Sequence, residues 1–249
     1  MKLEQVIATR PKKTIYRDGD MVIKLFNEDY SKSDILNEAL NTARVEETGL
    51  PIPKVLEVTK IDGKWAIINE YIEGTTLEQL MLENPEKEDE YMDLFVTLQT
   101  DIHKKKAPLL TKLIDKMIRK ISLADIDNAT KYDLHTLLDG MHKHDKVCHG
   151  DFNPSNVVIT PEGQAYILDW AHATQGNASA DAARTFLVFS LAGKNDLAEK
   201  YLNLFCTKTG INKKYVQRWI PIVAASQSVK AIPEEKELLS KWINVFDYT

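Results

Sequence analysis

His149-Gly150-Asp151-Phe152-Asn153-Pro154-Ser155-Asn156-Val157-Val158-Ile159-Thr160, continued through Pro161-Glu162-Gly163-Gln164 to Ala165-Tyr166-Ile167-Leu168-Asp169-Trp170, is the stretch on which the reading of this 249-residue chain turns. Two short apolar runs flank Glu162-Gly163, which predicts an antiparallel hairpin. A two-residue turn at that dipeptide sets Asn156 directly opposite Asp169. Paired strands run about 4.8 Å apart, so the amide and the carboxylate come within reach of one ion at the hairpin's open end. Both are hard oxygen donors of the kind Mg²⁺ takes, with phosphate oxygens and water completing its octahedron. Asp151 stands five residues before Asn156 in the loop leading in. There it can orient an acceptor hydroxyl and take its proton, a contribution of about 10² to 10⁴ in rate. The plainer alternative makes His149, Asp151, Asn156 and Asp169 ordinary turn residues. It requires spacing, register and residue order all to be coincidental.

Upstream, Thr14-Ile15-Tyr16-Arg17 and Met21-Val22-Ile23-Lys24-Leu25-Phe26 flank Asp18-Gly19, a hairpin signal. With Asp18-Gly19 as the turn, Lys24 faces Lys13 and lies near the basic loop Arg10-Pro11-Lys12-Lys13. Ser33 or Asp34 caps a helix carrying Ile35, Leu36, Ala39, Leu40 and Ala43 at helical spacing, and Gly49-Leu50-Pro51 ends it. A second hairpin, 54–59 with 65–71, brackets Asp62-Gly63, and Gly74 then breaks the pattern. Residues 1–74 therefore read as a sheet-rich lobe with one helix. Residues 75–249 read as a larger, mostly helical lobe, with helical patterns near 77–122, 131–144, 180–206 and 212–230 and one short strand pair near 157–168.

The series H-G-D-x-x-x-x-N at 149–156, followed 13 residues later by Asp169-Trp170, resembles the aminoglycoside phosphotransferase and choline kinase group, relatives of the protein kinases. The resemblance implies an α+β, protein-kinase-like two-lobed fold with a cleft between the lobes. It implies transfer of the γ-phosphate of ATP, or GTP, to a hydroxyl of a small molecule such as an amino alcohol, sugar or aminoglycoside-like compound. By the same analogy His149 braces the catalytic loop, Asp151 is the base, and Asn156 and Asp169 hold Mg²⁺. Lys24 looks like the third-strand lysine that grips the α and β phosphates, and Glu38 like the helix glutamate that pairs with it, with Glu46 the alternative. Glu70 and Ile72, where the last small-lobe strand runs into the hinge, correspond to the backbone groups that read adenine. Asp181 resembles the aspartate that supports the catalytic loop from a core helix. The phosphate loop departs from the pattern because it has no glycine; Arg10, Lys12 and Lys13 offer side-chain charge where kinases use backbone amides.

Rival readings are a protein serine/threonine kinase and an inactive nucleotide-binding relative. Against the first, the interval from Asp169 to Asp181 leaves little room for an activation loop, and Asn153 stands where such kinases carry lysine. Against the second, Lys24, Asp151, Asn156 and Asp169 are all present. Zinc at His142, His144, Cys148 and His149 lacks a second ligand cluster at finger-like spacing. Trp170 and His172, and the terminal Trp242, Phe246 and Tyr248, are candidates for acceptor walls or for plain packing. With 32 basic and 37 acidic residues the chain has a net charge of −5 and no global field for nucleic acid or anionic lipid. The acidic surplus mildly favours a cationic acceptor, and the basic run 103–120 reads as a solvated face. Two cysteines, no signal-like start and no apolar run of about 20 residues point to a cytoplasmic protein outside the membrane; a monomer or homodimer is expected.

Overall fold

The structure is a computed structural model that describes residues 3–244. In chain order its elements begin with strands β1 (Gln5–Arg10), β2 (Lys13–Asp18) and β3 (Met21–Phe26), helix α1 (Lys32–Glu46), and strands β4 (Val55–Ile61), β5 (Lys64–Glu70) and β6 (Thr75–Thr76). Helices α2 (Leu77–Glu83), α3 (Glu88–Ile102), α4 (Leu113–Leu123) and α5 (Asn128–Asp139) follow, then strands β7 (Lys146–Cys148), β8 (Val157–Ile159), β9 (Ala165–Ile167) and β10 (Thr174–Gly176). The chain continues as α6 (Ala178–Leu191), α7 (Asn195–Thr209), α8 (Lys213–Gln217), α9 (Ile220–Ser228) and α10 (Pro233–Ser240). It divides into two compact units. One holds the chain up to Pro85 together with Pro154–His172; the other holds Glu86–Asn153 together with the chain from Ala173 onward.

The first unit is a five-stranded antiparallel sheet in the order β1-β2-β3-β5-β4, with a smaller sheet β6-β8-β9. Strand alternation decides what each face of the larger sheet carries. Phe26 and Ile67 pack with Ile35 and Ala39 of α1, whereas Ile23, Ala66 and Ile68 form a separate cluster. Lys24 pairs with Ile67, and Lys13 pairs with Phe26, so both lysines share the face that α1 covers. The helix itself is capped by Ser31, whose side chain accepts from the Asp34 N–H, two or three residues ahead of the expected cap.

Two hairpin registers differ from the sequence reading. At the first hairpin Asp18 pairs with Met21, so Gly19 and Asp20 form the turn and Lys24 faces Ile15 rather than Lys13. Gly19, at φ 60°, takes the first central position, the one a type II′ turn reserves for glycine. The partner moves by two positions, which leaves Lys24 on its expected face. At the later hairpin Ile159 pairs with Ala165 and Val157 with Ile167, so the loop is three residues, Pro161-Glu162-Gly163, with Gly163 at φ 84°. That is the bulged three-residue connection, and it moves the pairing by one. Asn156 therefore lies opposite Leu168, whose N–H donates to the Asn156 carbonyl (2.8 Å), and Asp169 comes one residue later. The Asp62-Gly63 turn agrees with the reading: Ile61 pairs with Lys64, and both turn residues have positive φ, at 49° and 82°.

The helical pattern read over 77–122 is broken into separate helices at Asn84-Pro85 and again over 103–112, which contains Pro108. In the second unit Phe95 of α3 stacks on Phe152 with ring centroids 4.4 Å apart, and Phe189 and Tyr201 both meet Phe95 edge-on and each other tilted. This aromatic cluster anchors the segment 149–153. A strand pair the sequence did not signal, β7 with β10, carries the chain into that segment. Among the described residues no helix is long and apolar enough to cross a membrane.

Candidate active site

Four charged groups meet in the first unit. Lys24 Nζ lies 2.6 Å from Glu38 Oε1 and 3.7 Å from Asp169 Oδ1. Lys13 Nζ lies 3.5 Å from both Glu38 oxygens and 3.9 Å from Asp169 Oδ2. Glu38 is almost fully buried, with 5% of its side chain exposed, whereas 36% of the Asp169 side chain is exposed. Burial by itself would lower the Lys24 ammonium's pKa, but the Asp169 and Glu38 carboxylates outweigh it and hold it above the usual lysine value. Lys24 is therefore a fixed positive charge. Arg10 and Lys12 are exposed, so of the three basic side chains in that loop it is Lys13, at the start of β2, that joins the cluster. Glu46 is used elsewhere: its Oε1 accepts from the Val55 N–H at 2.7 Å.

Asp169 has φ 58°, in the left-handed region that aspartate tolerates better than most residues. The strand alternation that a one-residue register change would otherwise impose ends at this point. Asn156 closes the short helical turn Pro154–Asn156 just before β8, and Asp169 follows β9. One amide oxygen and one carboxylate at the same end of one hairpin fit Mg²⁺, which typically takes one or two protein oxygens and leaves the rest of its sphere to water and phosphate. Among the described residues no three or more His, Cys, Asp or Glu side chains are grouped as a metal site.

In the second unit the segment 149–152 hangs from α6. Asp181 Oδ1 accepts from the Gly150 N–H (2.7 Å), and Oδ2 accepts from the His149 N–H (3.2 Å) and lies 2.9 Å from His103 Nε2. Thr185, one turn on, donates to the Phe152 carbonyl (2.9 Å). Burial pushes the Asp181 carboxyl up, but His103, His149 and the Gly150 N–H bring it down to about 2, so it is ionised at any ordinary pH. His149 is fully buried, and its Nδ1 accepts from the Asp151 N–H (3.2 Å). Asp151 itself is half-buried, and Arg184 Nη2 donates to its Oδ1 at 3.0 Å. Arg184, Thr185 and His103 were not anticipated. The available signal for Arg184 was an arginine one turn after Asp181 in an otherwise apolar helix.

The remaining candidates are spread out. Glu70 ends β5, its N–H donating to the Lys54 carbonyl (2.9 Å), and Ile72 lies in the connection between β5 and β6. Trp170 is buried with its indole N–H donating to the Ile167 carbonyl, a packing role, whereas His172 is exposed. Trp242 packs edge-on against Phe186 at 5.7 Å; Phe246 and Tyr248 lie outside the described residues. Cys148 is buried with its sulfur 3.5 Å from the Asn177 carbonyl.

Residues 12–213 match the model of the phosphotransferase enzyme family. No curated protein matches the sequence. Among solved structures, a thermostable mutant of aminoglycoside phosphotransferase APH(4)-Ia, in ternary complex with AMP-PNP and hygromycin B, aligns with a TM-score of 0.70 at 15% identity over 96% of this chain and 90% of that one. Choline kinase LicA from Streptococcus pneumoniae aligns with a TM-score of 0.62 at 15% identity over 98% and 93%. An aminoglycoside-3′-phosphotransferase of type VIII aligns with a TM-score of 0.64 at 14% identity over 92% of each chain. The fold is that of the protein-kinase-like phosphotransferases.

Proposed function

The chain belongs to the phosphotransferase enzyme family, and from that premise we propose that it moves the γ-phosphoryl group of ATP to a hydroxyl of a small molecule. The observation that carries this reading is the convergence of Lys13 and Lys24 on Glu38 and on the partly exposed Asp169. Two ammonium groups held on one buried carboxylate form a rigid cationic platform for phosphate oxygens. Lys24 and Lys13 bind the phosphates, and Glu38 fixes both lysines. Lys13 supplies by side-chain charge what a glycine loop supplies by backbone amides. The backbone of Glu70 and Ile72 reads the base. Asn156 and Asp169 hold Mg²⁺, which when bound spreads positive charge over the phosphate oxygens.

Asp151 takes the proton of the acceptor hydroxyl as that oxygen bonds to the γ-phosphorus, the bond to the β–γ bridging oxygen breaks, and ADP leaves. Arg184 keeps the Asp151 carboxylate oriented through the 3.0 Å hydrogen bond, and His149 positions its backbone by accepting from the Asp151 N–H. The relatives solved with AMP-PNP or ADP support adenine nucleotide as donor. The test is a pair of variants. Asp151→Ala should lower turnover by about 10² to 10⁴ while ATP binding survives, and Asp169→Ala should weaken Mg²⁺-dependent ATP binding itself. Equal turnover in wild type and Asp151→Ala, followed by coupled ADP release, would remove Asp151 from this role.

A further inference from the structure

The face of the larger sheet that carries Lys24 packs against α1 through Phe26 and Ile67, which meet Ile35 and Ala39. Side chains two apart along a strand share a face, and paired residues stand side by side, so the register maps the rest of that face. Lys24 lies between Ile15 of β2 and Ile67 of β5. The next row, about 7 Å along the strands, is Arg17, Val22 and Asn69. Ile15 and Val22 are only half-buried, unlike Phe26 and Ile67. Beyond them the Arg17 guanidinium lies over the Tyr71 ring, 3.8 Å from its centroid, and its Nε donates to the Gly19 carbonyl (3.1 Å). Two partly open apolar side chains therefore lie between the Lys24 ammonium and the Arg17–Tyr71 stack, with Asn69 at their side.

Asn69 is the anomaly of this face. Only 9% of the residue is exposed, and its side-chain oxygen is buried with no hydrogen-bond partner. Its cross-strand neighbours, Val22 and Val55, have no side-chain donor to offer it. A buried carbonyl oxygen without a donor is destabilising, and an apolar residue of the same shape would fill the place without that penalty. Polar groups left unsatisfied in an otherwise consistent sheet belong to sites where a ligand completes them. Asn69 directly precedes Glu70, whose backbone is assigned to the base above, and it shares its face with Lys24, assigned to the phosphates.

Resting on that nucleotide reading, we infer that Asn69 is a specificity-determining residue for the donor: its side-chain oxygen accepts one N–H of the exocyclic amine of adenine. The Glu70 carbonyl accepts the other N–H, and Ile15 and Val22 lie under the ring. Each hydrogen of the amine then has its own acceptor. A purine without that amine leaves the Asn69 oxygen as unsatisfied as it is in the empty protein, and a guanine sets its own carbonyl oxygen against two others.

The experiment measures dissociation constants by displacement of a ribose-labelled fluorescent ADP, with Mg²⁺ present, for ATP, GTP and purine riboside triphosphate, which is ATP without the amine. Wild type should prefer ATP over purine riboside triphosphate by about tenfold or more, the worth of two hydrogen bonds. Asn69→Leu should reduce that preference by about fivefold, the worth of one, while Asn69→Thr, which keeps an acceptor oxygen, should retain most of it. Without nucleotide, Asn69→Leu should melt no lower than wild type, because it removes an unsatisfied group rather than a bond. An Asn69→Leu chain that melts lower or fails to fold would make the amide a structural group and overturn the inference. So would an ATP preference unchanged by Asn69→Leu, or wild type that binds GTP as tightly as ATP, which would mean that the amide turns to donate instead. Those results leave ATP binding intact and defeat this inference alone; wild type that binds no nucleotide at all would defeat the phosphotransfer reading together with it.

Discussion

Glu38 in the first unit and Asp181 in the second are both buried carboxylates, yet they are satisfied by different kinds of group. Glu38 is held by the ammonium groups of Lys24 and Lys13, which are themselves the candidate phosphate ligands. Asp181 is held by two backbone N–H groups and by His103, none of which is assigned to touch substrate. In the first unit, then, the groups that would do the chemistry also neutralise one another, and a change in one is felt by the rest. In the second, support and chemistry are carried by separate groups: Asp181 fixes the backbone of the loop, and Asp151 presents its side chain.

The largest effect that tests this contrast is expected from Asp181→Asn. Whichever way the amide turns, its NH₂ meets a backbone N–H already pointing at that position, leaving buried donors without acceptors. At about 1–3 kcal/mol per buried group, a loss of about 3 kcal/mol or more is expected, read as a lower urea midpoint at unchanged slope. The Asp151→Ala variant should lose turnover at a smaller cost in stability, because the Asp151 side chain is 32% exposed and its removal takes one partner from Arg184, so similar midpoints for both variants would erase the distinction between support and chemistry.

An intermediate effect separates the two lysines. Lys24→Met leaves Lys13 on Glu38, and Lys13→Met leaves Lys24 there, so each single change still leaves the buried carboxylate a cation. The double variant strips both, and its destabilisation should exceed the sum of the singles by about 1–3 kcal/mol in a double-mutant cycle. Additive energies would mean that the lysines do not share Glu38. The smallest effect concerns Gly163, at φ 84° with nothing within 4 Å of the place a Cβ would occupy. Gly163→Ala should cost about 1 kcal/mol from backbone conformation alone, with ATP binding unchanged. A loss of ATP binding would show that the hairpin loop, rather than the strands, sets the position of Asn156 and Asp169.

Much of this arrangement was legible in the residues, and what escaped has a physical cause. Asp62-Gly63 was placed correctly because both its residues take positive φ, the demand a two-residue hairpin turn makes. The same logic misplaced Asp18-Gly19 by one residue, since a glycine serves equally as the second central residue of one turn type or the first of another. At Glu162-Gly163 the dipeptide was the end of a three-residue loop, and a dipeptide does not encode loop length. Both lysines still reached Glu38 because the first error was even, and strand faces repeat every two residues. The Asp151–Arg184 pair was not legible, because a helix-borne arginine 33 residues away in sequence carries no local signal of what it touches. The long helical run over 77–122 was over-read because apolar spacing continues across breaks that Pro85 and the 103–112 segment impose.

The first unit is assembled from two stretches of chain with the whole of Glu86–Asn153 between them. Strand β6, only two residues long, pairs with β8, and the Ile167 N–H donates to the Pro51 carbonyl at 2.9 Å. A ribosome adding about 5–20 residues per second delivers β8 and β9 several seconds after α2 has emerged. During that delay the early strands lack their closing hairpin, and the nascent protein holds a half-built first unit that needs a later stretch of message to complete it. A fragment ending at Pro85 would inherit the same gap permanently, and adding residues 154–172 back as a separate peptide is the natural way to fill it.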